Sequence, residues 1–263
     1  MTRLAREKRG FSLLELMAAM GIFLIICAAM FGLLQVSQQK YSSESQMSGA
    51  FQEARLGIDQ IVRDINISGY PSQNMFSKPA STASYAVGPL AWDPGYPTIP
   101  SCQVGACATP SDYDAIVETD LGDGNVSWIR YTLTGTTLFR GVVQKTAGAD
   151  PVAATAATGV MVPLVSNVVN NPAALPADAQ AQLIAQYPGI FPGGAPRPLF
   201  QYSCATPTGS QPCTLAATGY NAPRLVSDVD VTLIVMTQTP DMQPQQLHVM
   251  ELSGRGHRSN PQN

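Results

Sequence analysis

The sequence predicts an α+β fold: a long N-terminal α-helix, half of it transmembrane, packed on a small antiparallel β-sheet with long, disulfide-pinned loops. Three observations predict it. Residues 16–34 form an apolar run in which the thiol of Cys27 is the only polar side-chain group. Apolar residues at helical spacing continue beyond that run. The remainder, with most of the 22 glycines and 21 prolines, alternates short strand-like segments with turns, which is typical of a loop-rich β-domain.

Charge is unevenly distributed along the chain. Residues 1–10 hold four basic side chains and one acidic side chain, a balance of +3. The chain totals of 15 basic and 18 acidic side chains therefore leave 11 and 17 for residues 11–263, a balance of −6. Because bulk electrostatic binding of nucleic acid needs clustered Lys and Arg, no nucleic-acid partner is expected.

The apolar run is long enough to cross a membrane. Its 19 residues, at about 1.5 Å each in a helix, nearly span a hydrocarbon core of about 30 Å, and residues 11–14 lengthen it. The basic residues in front of the run predict a cytoplasmic N-terminus with the rest of the chain on the other side.

Three ordinary kinds of targeting segment explain this run incompletely. A secretory signal has a shorter apolar run followed by a small-x-small cleavage site, and residues 36–39 form a poor site. A lipoprotein signal needs a small residue before its cysteine, but Cys27 follows Ile26. A plain signal anchor leaves Glu15 unexplained, because a carboxylate inside an apolar helix costs up to about 3 kcal/mol and is a functional candidate by default.

The segment from Gly10 to Glu15, Gly-Phe-Ser-Leu-Leu-Glu between a basic leader and an apolar helix, resembles the class III signal of type IV prepilins and pseudopilins. The resemblance implies that prepilin peptidase cleaves between Gly10 and Phe11 and N-methylates the new amine of Phe11. It also implies a single-pass protein of the bacterial inner membrane with a periplasmic head. Such a subunit joins other major and minor pilins at an inner-membrane assembly platform and then reaches the pilus and the cell surface.

The new N-terminal amine gives Glu15 a physical role. Gly10 allows the extended conformation that a protease needs, and cleavage leaves a cationic amine on Phe11. When subunits stack with an axial stagger, Glu15 of one can meet the Phe11 amine of its neighbour, and in a low-dielectric setting this attraction offsets the desolvation of both charges. The alternatives that stay open are that Glu15 reaches the lipid headgroups or pairs with the amine of its own chain.

Helical spacing continues past the membrane to about Ser68, where Gly69-Tyr70-Pro71 is a stop signal. A helix from Phe11 to Ser68 would be about 87 Å long. Gly32 occupies the region in which many pilins carry a helix-kinking proline, which leaves local unwinding open. One apolar stripe is expected to pack on the sheet, with polar residues on the other positions: the stripe is Met47, Phe51, Ala54, Ile58, Ile61, Val62 and Ile65, and the polar residues are Arg55, Asp59, Arg63 and Asp64.

Four regions are predicted along the chain. They are a cleaved basic leader (1–10), a transmembrane and assembly helix (11–69), a periplasmic or extracellular β-rich head (70–253) and a flexible polar tail (254–263). In the head, residues 71–111 and 170–223 are predicted as loops, the second with a short helix at Asp178–Tyr187. The predicted strands are Asp114–Asp120, Val126–Leu133, Thr136–Gln144, Val160–Val169, Arg224–Gln238 and Gln246–Ser253.

Short segments at the end of the helix and in the head resemble PilW-type minor pilins and J-type pseudopilins in particular. This closer resemblance implies a minor pilin that acts in filament initiation or at the tip, with a pseudopilin of a type II secretion system as the alternative. The segments are Arg63-Asp64-Ile65, Gly69-Tyr70, Tyr131-Thr132-Leu133, Leu138-Phe139-Arg140 and the valine-rich Val226–Val235.

Four of the five cysteines are predicted to form disulfides in an oxidising compartment. Four cysteines allow three pairings, and local loop closure favours Cys102–Cys107 and Cys204–Cys213. A zinc site is the rival interpretation, but it would need tighter C-x2-C spacing or His partners. Cys27 is expected to serve as a small apolar residue in the membrane.

No catalytic constellation is apparent, so the chain is predicted to be a structural protein without enzymatic activity or cofactor. An acidic stretch suggests calcium, yet it lacks EF-hand spacing and is better explained as a solvated face, so no metal is predicted. The stretch comprises Asp112, Asp114, Glu118, Asp120, Asp123 and Asn125.

A second class of function stays open beside the filament subunit. The predicted loops carry aromatic residues that would suit a membrane-anchored adhesin or ligand-binding domain, and a tip pilin can also bind a surface. These aromatic residues are Trp92, Tyr96, Tyr187, Phe191 and Tyr202.

Overall fold

A computed structural model describes residues 12–71, 90–91, 112–145, 160–213, 225–237 and 247–259. Within these ranges the chain forms one 54-residue helix, α1 (Leu13–Asn66), and nine β-strands. The strands are antiparallel, as the sequence predicts, and the α+β class is confirmed. The single small sheet that was expected is in fact two sheets, one of five strands and one of four.

Helix α1 begins and ends at the signals in the sequence. Ser12 is the N-cap, with extended backbone angles, so the helix starts at Leu13 and not at Phe11. At the other end Gly69 takes a φ of 80°, which favours glycine and stops the helix, so that α1 ends at Asn66 and not at Ser68. The helix is continuous through Gly32, and its 54 residues are about 81 Å long.

The first sheet is a meander in the strand order β1-β2-β3-β4-β5. Three of its strands match the prediction closely, and the fourth predicted strand is shorter than expected because the chain leaves the sheet after Val165. The strands are β1 (Leu90–Ala91), β2 (Asp114–Asp120), β3 (Val126–Thr134), β4 (Thr137–Gln144) and β5 (Met161–Val165).

The second sheet has the strand order β7-β6-β8-β9. Its strands are β6 (Phe200–Thr206), β7 (Gly209–Pro212), β8 (Val226–Met236) and β9 (Val249–His257). The first two fall in the segment 170–223 that was predicted as a loop, and this prediction was wrong. The alternation that identifies β6 is present, with Phe200, Tyr202 and Cys204 buried, but glycine and proline on both sides of it obscure the pattern.

Strand β9 continues beyond the predicted end of the last strand. Residues 254–257, predicted as the start of a polar tail, belong to the sheet, and two of their glycines touch helix α1. A Cβ on Gly254 would lie 2.5 Å from Cγ2 of Ile58, and a Cβ on Gly256 would lie 2.6 Å from Cγ2 of Ile65. Glycine therefore allows the strand to approach the helix more closely than any other residue would.

The main core lies between α1 and the sheets. Ala54, Ile58, Ile61 and Ile65 are buried there, as the predicted stripe requires, against apolar side chains of both sheets. The face differs from the prediction at two positions: Phe51, predicted to pack on the sheet, is 39% exposed, and the predicted polar residue Asp64 is only 1% exposed. Asp64 follows Ile61 by three residues, so it lies on the same side of the helix.

Asn170 joins the two sheets. Its fully buried side chain takes the place of a strand beside β8: Nδ2 donates to the carbonyl of Thr232 at 2.7 Å, and Oδ1 accepts from the amide of Ile234 at 2.9 Å. Just before it, Val168 pairs with Val235. The chain leaving the first sheet is therefore hydrogen-bonded to the second.

A short helix, α2 (Ala177–Gln186), lies one residue from the predicted Asp178–Tyr187. It contributes to a second apolar cluster, in which Leu183 and Phe191 pack with Ile234 of β8. The Tyr187 hydroxyl donates to the carbonyl of Leu247 at 2.5 Å, and this bond ties the end of α2 to the approach to β9.

Candidate assembly helix

The N-terminal half of α1 has no cover from the part of the head that the structure describes. Its large apolar side chains are exposed, with Phe23 at 64% and Ile25 at 71%. An 18-residue window of this half is apolar enough to cross a membrane, and none of it is buried. So much contiguous apolar surface is unfavourable in water, so this half requires lipid or other apolar helices around it.

Glu15 lies in the first turn of α1 and takes part in a capping box. Its carboxylate accepts a hydrogen bond from the Ser12 amide at 3.1 Å, and the Ser12 hydroxyl accepts one from the Leu14 amide at 3.3 Å. A carboxylate is also favoured at a helix N-terminus by the positive end of the helix dipole. In the single chain, therefore, Glu15 satisfies an amide group of its own helix.

The other predicted site residues divide into two groups. Gly10, Phe11, Cys102 and Cys107 lie outside the described residues. Cys204 and Cys213 are joined in a buried disulfide, which confirms this pairing. The bond links strand β6 to the residue that follows β7, and so closes the β6–β7 hairpin, with both cysteines in the main core.

Helix α1 is fixed to the first sheet by a buried polar network around Asp64. Tyr131 of β3 donates its hydroxyl to the Asp64 carboxylate, and Gln60 donates to the other carboxylate oxygen at 2.9 Å. The guanidinium of Arg140 donates to Asp64 at 2.8 and 3.1 Å and to the Tyr131 hydroxyl at 3.1 Å. The Asp64–Arg140 pair and the Tyr131 hydroxyl thus connect the helix to β4 and β3, and Gln60 of the helix supports the carboxylate.

Electrostatic interactions in this network fix the protonation states of Tyr131 and Arg140. Burial raises the pKa of Tyr131 far above its ordinary value, and the nearby Asp64 carboxylate raises it further, so the phenol stays a donor. Desolvation lowers the pKa of Arg140, but Tyr131 and Asp64 outweigh it and the pKa is raised overall, so the guanidinium stays charged.

The acidic stretch considered for calcium is divided among separate contacts. Asp114 forms an ion pair with Arg130 at 2.6 Å, and Glu118 forms a buried ion pair with Lys145. Asp120 accepts hydrogen bonds from backbone amides of the β2–β3 turn. Among the described residues no three or more Asp, Glu, His or Cys side chains are grouped so that they could hold a metal ion.

Sequence reasoning did not identify the Asp64 network. The helical position of Asp64 was available as a signal, because a residue three after Ile61 faces the core. Its partners Tyr131 and Arg140 are opposite each other on adjacent strands, a register that depends on the whole meander.

A model of the prokaryotic N-terminal methylation motif matches residues 5–31. No curated protein and no solved structure matches the chain. The match spans the basic leader, Gly10, Phe11, Glu15 and most of the apolar run. It supports a type IV prepilin-like class III signal peptide and, with it, a pilin-like or pseudopilin-like protein that prepilin peptidase processes and that assembles with other pilins. Together with the apolar helix, it fits an inner-membrane anchor.

Proposed function

We propose that this chain is a structural minor pilin, a non-enzymatic subunit of a type IV pilus-like filament that acts in filament initiation or at the tip. One observation carries the proposal: the methylation motif at residues 5–31 begins a helix whose first half is apolar and bare, while its second half is embedded in a folded head. A rod with these two halves suits a subunit that is stored in the membrane and then packs among other helices.

The proposal assigns a place to each region. Residues 1–10 are the cytoplasmic leader, prepilin peptidase cuts after Gly10 and methylates Phe11, and the head from residue 70 lies in the periplasm. Other major and minor pilins pack on the exposed half of α1, delivered by the inner-membrane assembly platform.

The Asp64 network supports the minor-pilin subclass. Asp64, Tyr131 and Arg140 belong to three of the segments that resemble PilW-type and J-type proteins, and they meet at this one site, although Asp64 is 67 and 76 residues away from its two partners. The residues that carry the closer resemblance in this chain therefore attach the helix to the first sheet. Genetic context would separate a pilus subunit from a secretion pseudopilin.

Processing is tested first. Intact-mass analysis of the membrane-purified protein, from cells with an active prepilin peptidase, should give a chain that starts at N-methylated Phe11. Retention of Met1, or a start near residue 38, would contradict the proposal.

Assembly is tested with two substitutions of one residue. Glu15→Val removes both the charge and the capping bond, whereas Glu15→Gln removes the charge but keeps a capping-box side chain. Both should still insert and be cleaved, and both should reduce the ratio of filament-associated to membrane-associated protein. The reason is that the Phe11 amine of the neighbouring subunit loses its partner, and breaking such a buried pair costs about 3–5 kcal/mol, or two or more orders of magnitude in an assembly constant.

Ser12→Ala is the matched control, because it removes the reciprocal cap and leaves the charge. It should assemble nearly normally. Normal assembly of Glu15→Gln with failure of Glu15→Val would show that capping matters and charge pairing does not. A subunit at the extreme tip has no neighbour ahead of it, so its own Glu15 is partly dispensable. The ratio of filament-associated to membrane-associated protein is therefore measured together with the number of filaments.

A further inference from the structure

Strand β9 is an edge strand of the second sheet, and its backbone groups alternate between two sides. The amide of Arg258, just after the strand, donates to the carbonyl of Ser227 at 2.9 Å, so the even-numbered residues of β9 are hydrogen-bonded to β8. The amide of His257 points the other way and donates to Oδ1 of Asn66 at 2.8 Å. The remaining odd-numbered residues also direct their amides and carbonyls away from β8. These residues, which we call the outer edge of β9, are Val249, Glu251, Ser253 and Arg255.

The outer edge of β9 is open to another strand. Within the described part of the chain, none of its four amides and none of its four carbonyls forms a hydrogen bond. The other edge strands that the structure describes are short or carry a proline, which blocks pairing: β5 contains Pro163, β7 has four residues and ends at Pro212, and β1 has two residues. Strand β9 has nine residues and no proline. A long edge of this kind is a template for the addition of a further strand.

Strand β9 runs alongside α1, in the same direction, above the apolar half of the helix. Just before the strand, His248 lines a cleft together with Lys40 of α1, and near the end of the strand Gly256 lies against Ile65. Lys40 follows Leu34, the last residue of the apolar run, by six residues, which is about 9 Å along the helix. A subunit that packs on the bare half of α1 therefore comes close to the outer edge of β9.

We propose that the outer edge of β9 binds an extended strand from the head of a neighbouring pilin by antiparallel β-augmentation. The added strand exchanges backbone hydrogen bonds with the four outward-facing residues and so extends the second sheet. The side chains of Glu251 and Arg255 are 39% and 57% exposed, on the face of the sheet opposite α1. A strand with a basic residue opposite Glu251 and an acidic residue opposite Arg255 complements this edge best.

A second copy of β9 does not fit this edge. Two identical strands that pair antiparallel in one sheet are related by a two-fold axis perpendicular to the sheet, so every element that lies along the strand is reversed in the partner. Because β9 runs with α1, the two helices would point in opposite directions and their apolar halves could not share one membrane. The partner is therefore a different edge strand of the neighbouring head.

The inference rests on the proposed assembly with other pilins, and the first test uses Ser253 in the middle of the edge. Ser253→Pro removes one outward amide that has no partner within the described chain, and proline is tolerated on an edge strand, so the fold should be kept. Ser253→Ala is the matched control, because it keeps the amide. The proline variant should lower the ratio of filament-associated to membrane-associated protein about tenfold, since the added strand loses a hydrogen bond and meets the proline ring. The alanine variant should assemble like the wild type.

A photo-reactive side chain identifies the partner directly and does not depend on the folding of the proline variant. With p-benzoylphenylalanine in place of Glu251, illumination of sheared filaments should join this position to a strand in the head of another pilin, as read by mass spectrometry of the linked peptides. The adduct should persist when Ser253→Ala is added and disappear when Ser253→Pro is added.

Equal filament ratios for the proline and alanine variants would overturn the inference. The absence of an adduct, or an adduct with a helix of the neighbour in place of a strand, would overturn it too. If urea denaturation shows that Ser253→Pro does not fold, the adduct formed from position 251 alone decides. A wild-type chain that never enters filaments would instead refute the proposed function.

Discussion

Arg140 of strand β4 and Asp64 of helix α1 form an ion pair at 2.8 Å although they are 76 residues apart in the sequence. The carboxylate is almost wholly buried, while the guanidinium keeps partial access to solvent. A buried carboxylate that loses its cation stays desolvated without compensation, so the pair should matter far more than a surface ion pair.

Arg140→Leu should therefore lower the free energy of unfolding by about 3 kcal/mol. Arg197→Leu is the control, because the Arg197–Glu251 pair is exposed on both sides and its loss should cost less than about 1 kcal/mol. Urea denaturation of the detergent-solubilised chain, followed by the fluorescence of the buried Trp128, measures both. Equal losses for the two variants would show that Asp64 is adequately satisfied by Tyr131 and Gln60.

The close approach of β9 to the helix predicts strong sensitivity at Gly256. In Gly256→Ala the new Cβ would lie 2.6 Å from Cγ2 and 2.7 Å from Cβ of Ile65, so backbone must move, at about 1–3 kcal/mol. Gly49→Ala, where nothing lies within 4 Å, should instead stabilise α1 by up to about 1 kcal/mol. Unchanged denaturation midpoints for Gly256→Ala would mean that β9 does not pack on α1 in solution.

Asn170 should be far less replaceable than its neighbour. Asn170→Leu leaves the Thr232 carbonyl and the Ile234 amide without their side-chain partner in the interior, at about 1–3 kcal/mol for each group. Asn171→Ala removes only the exposed cap of a 3₁₀ turn, at about 1 kcal/mol. The two variants are compared by thermal unfolding. Similar shifts in melting temperature would contradict the role of Asn170 as the side chain that joins the first sheet to β8.

Two local disulfides are expected in the exported protein. Peptide mapping without reduction should link Cys204 to Cys213, as in the structure, and Cys102 to Cys107. Each closed loop contributes about 2–3 kcal/mol in the chain-entropy model, so reduction should lower stability measurably. A link between Cys102 and Cys213, or free thiols at these four positions in freshly exported protein, would refute the pairing.

Acid should weaken the second sheet where Asp228 of β8 pairs with His257 of β9. Burial alone would raise the pKa of Asp228, but hydrogen bonds from His257, Ser227 and Arg255 outweigh it and the pKa is lowered overall. A lowered pKa in the folded state gives stability that is present above the unfolded value of about 3.9 and is lost as the pH falls through the folded value.

Asp228→Asn should therefore destabilise the chain near pH 7, and its difference from the wild type should shrink as the pH falls below about 4. Asp230→Asn is the control, since Asp230 is more exposed and lies 3.7 Å from Arg255. A difference between the wild type and Asp228→Asn that is constant from neutral to acidic pH would exclude a linked ionisation.

Local features of the sequence were enough to predict α1, the β2–β3–β4 meander and the Cys204–Cys213 bond. Each depends on neighbours a few residues away: an apolar run between charges, alternation between turn residues, or two cysteines that close a short loop. The signal around Gly10 and Glu15 is of the same kind, which is why the processing site could be proposed from residues in order along the chain.

Only the tertiary structure decided the contacts between segments that are distant in the sequence. Asp64 is polar by type, and only the register that brings Arg140 and Tyr131 over it shows why it is buried. Gly254 and Gly256 are typical of a mobile tail until a helix is placed against them, and Asn170 is typical of a loop until it completes the ladder of β8. A residue's own chemistry sets what it can bond to, but the partner that makes burial favourable is chosen by the packing of the whole head.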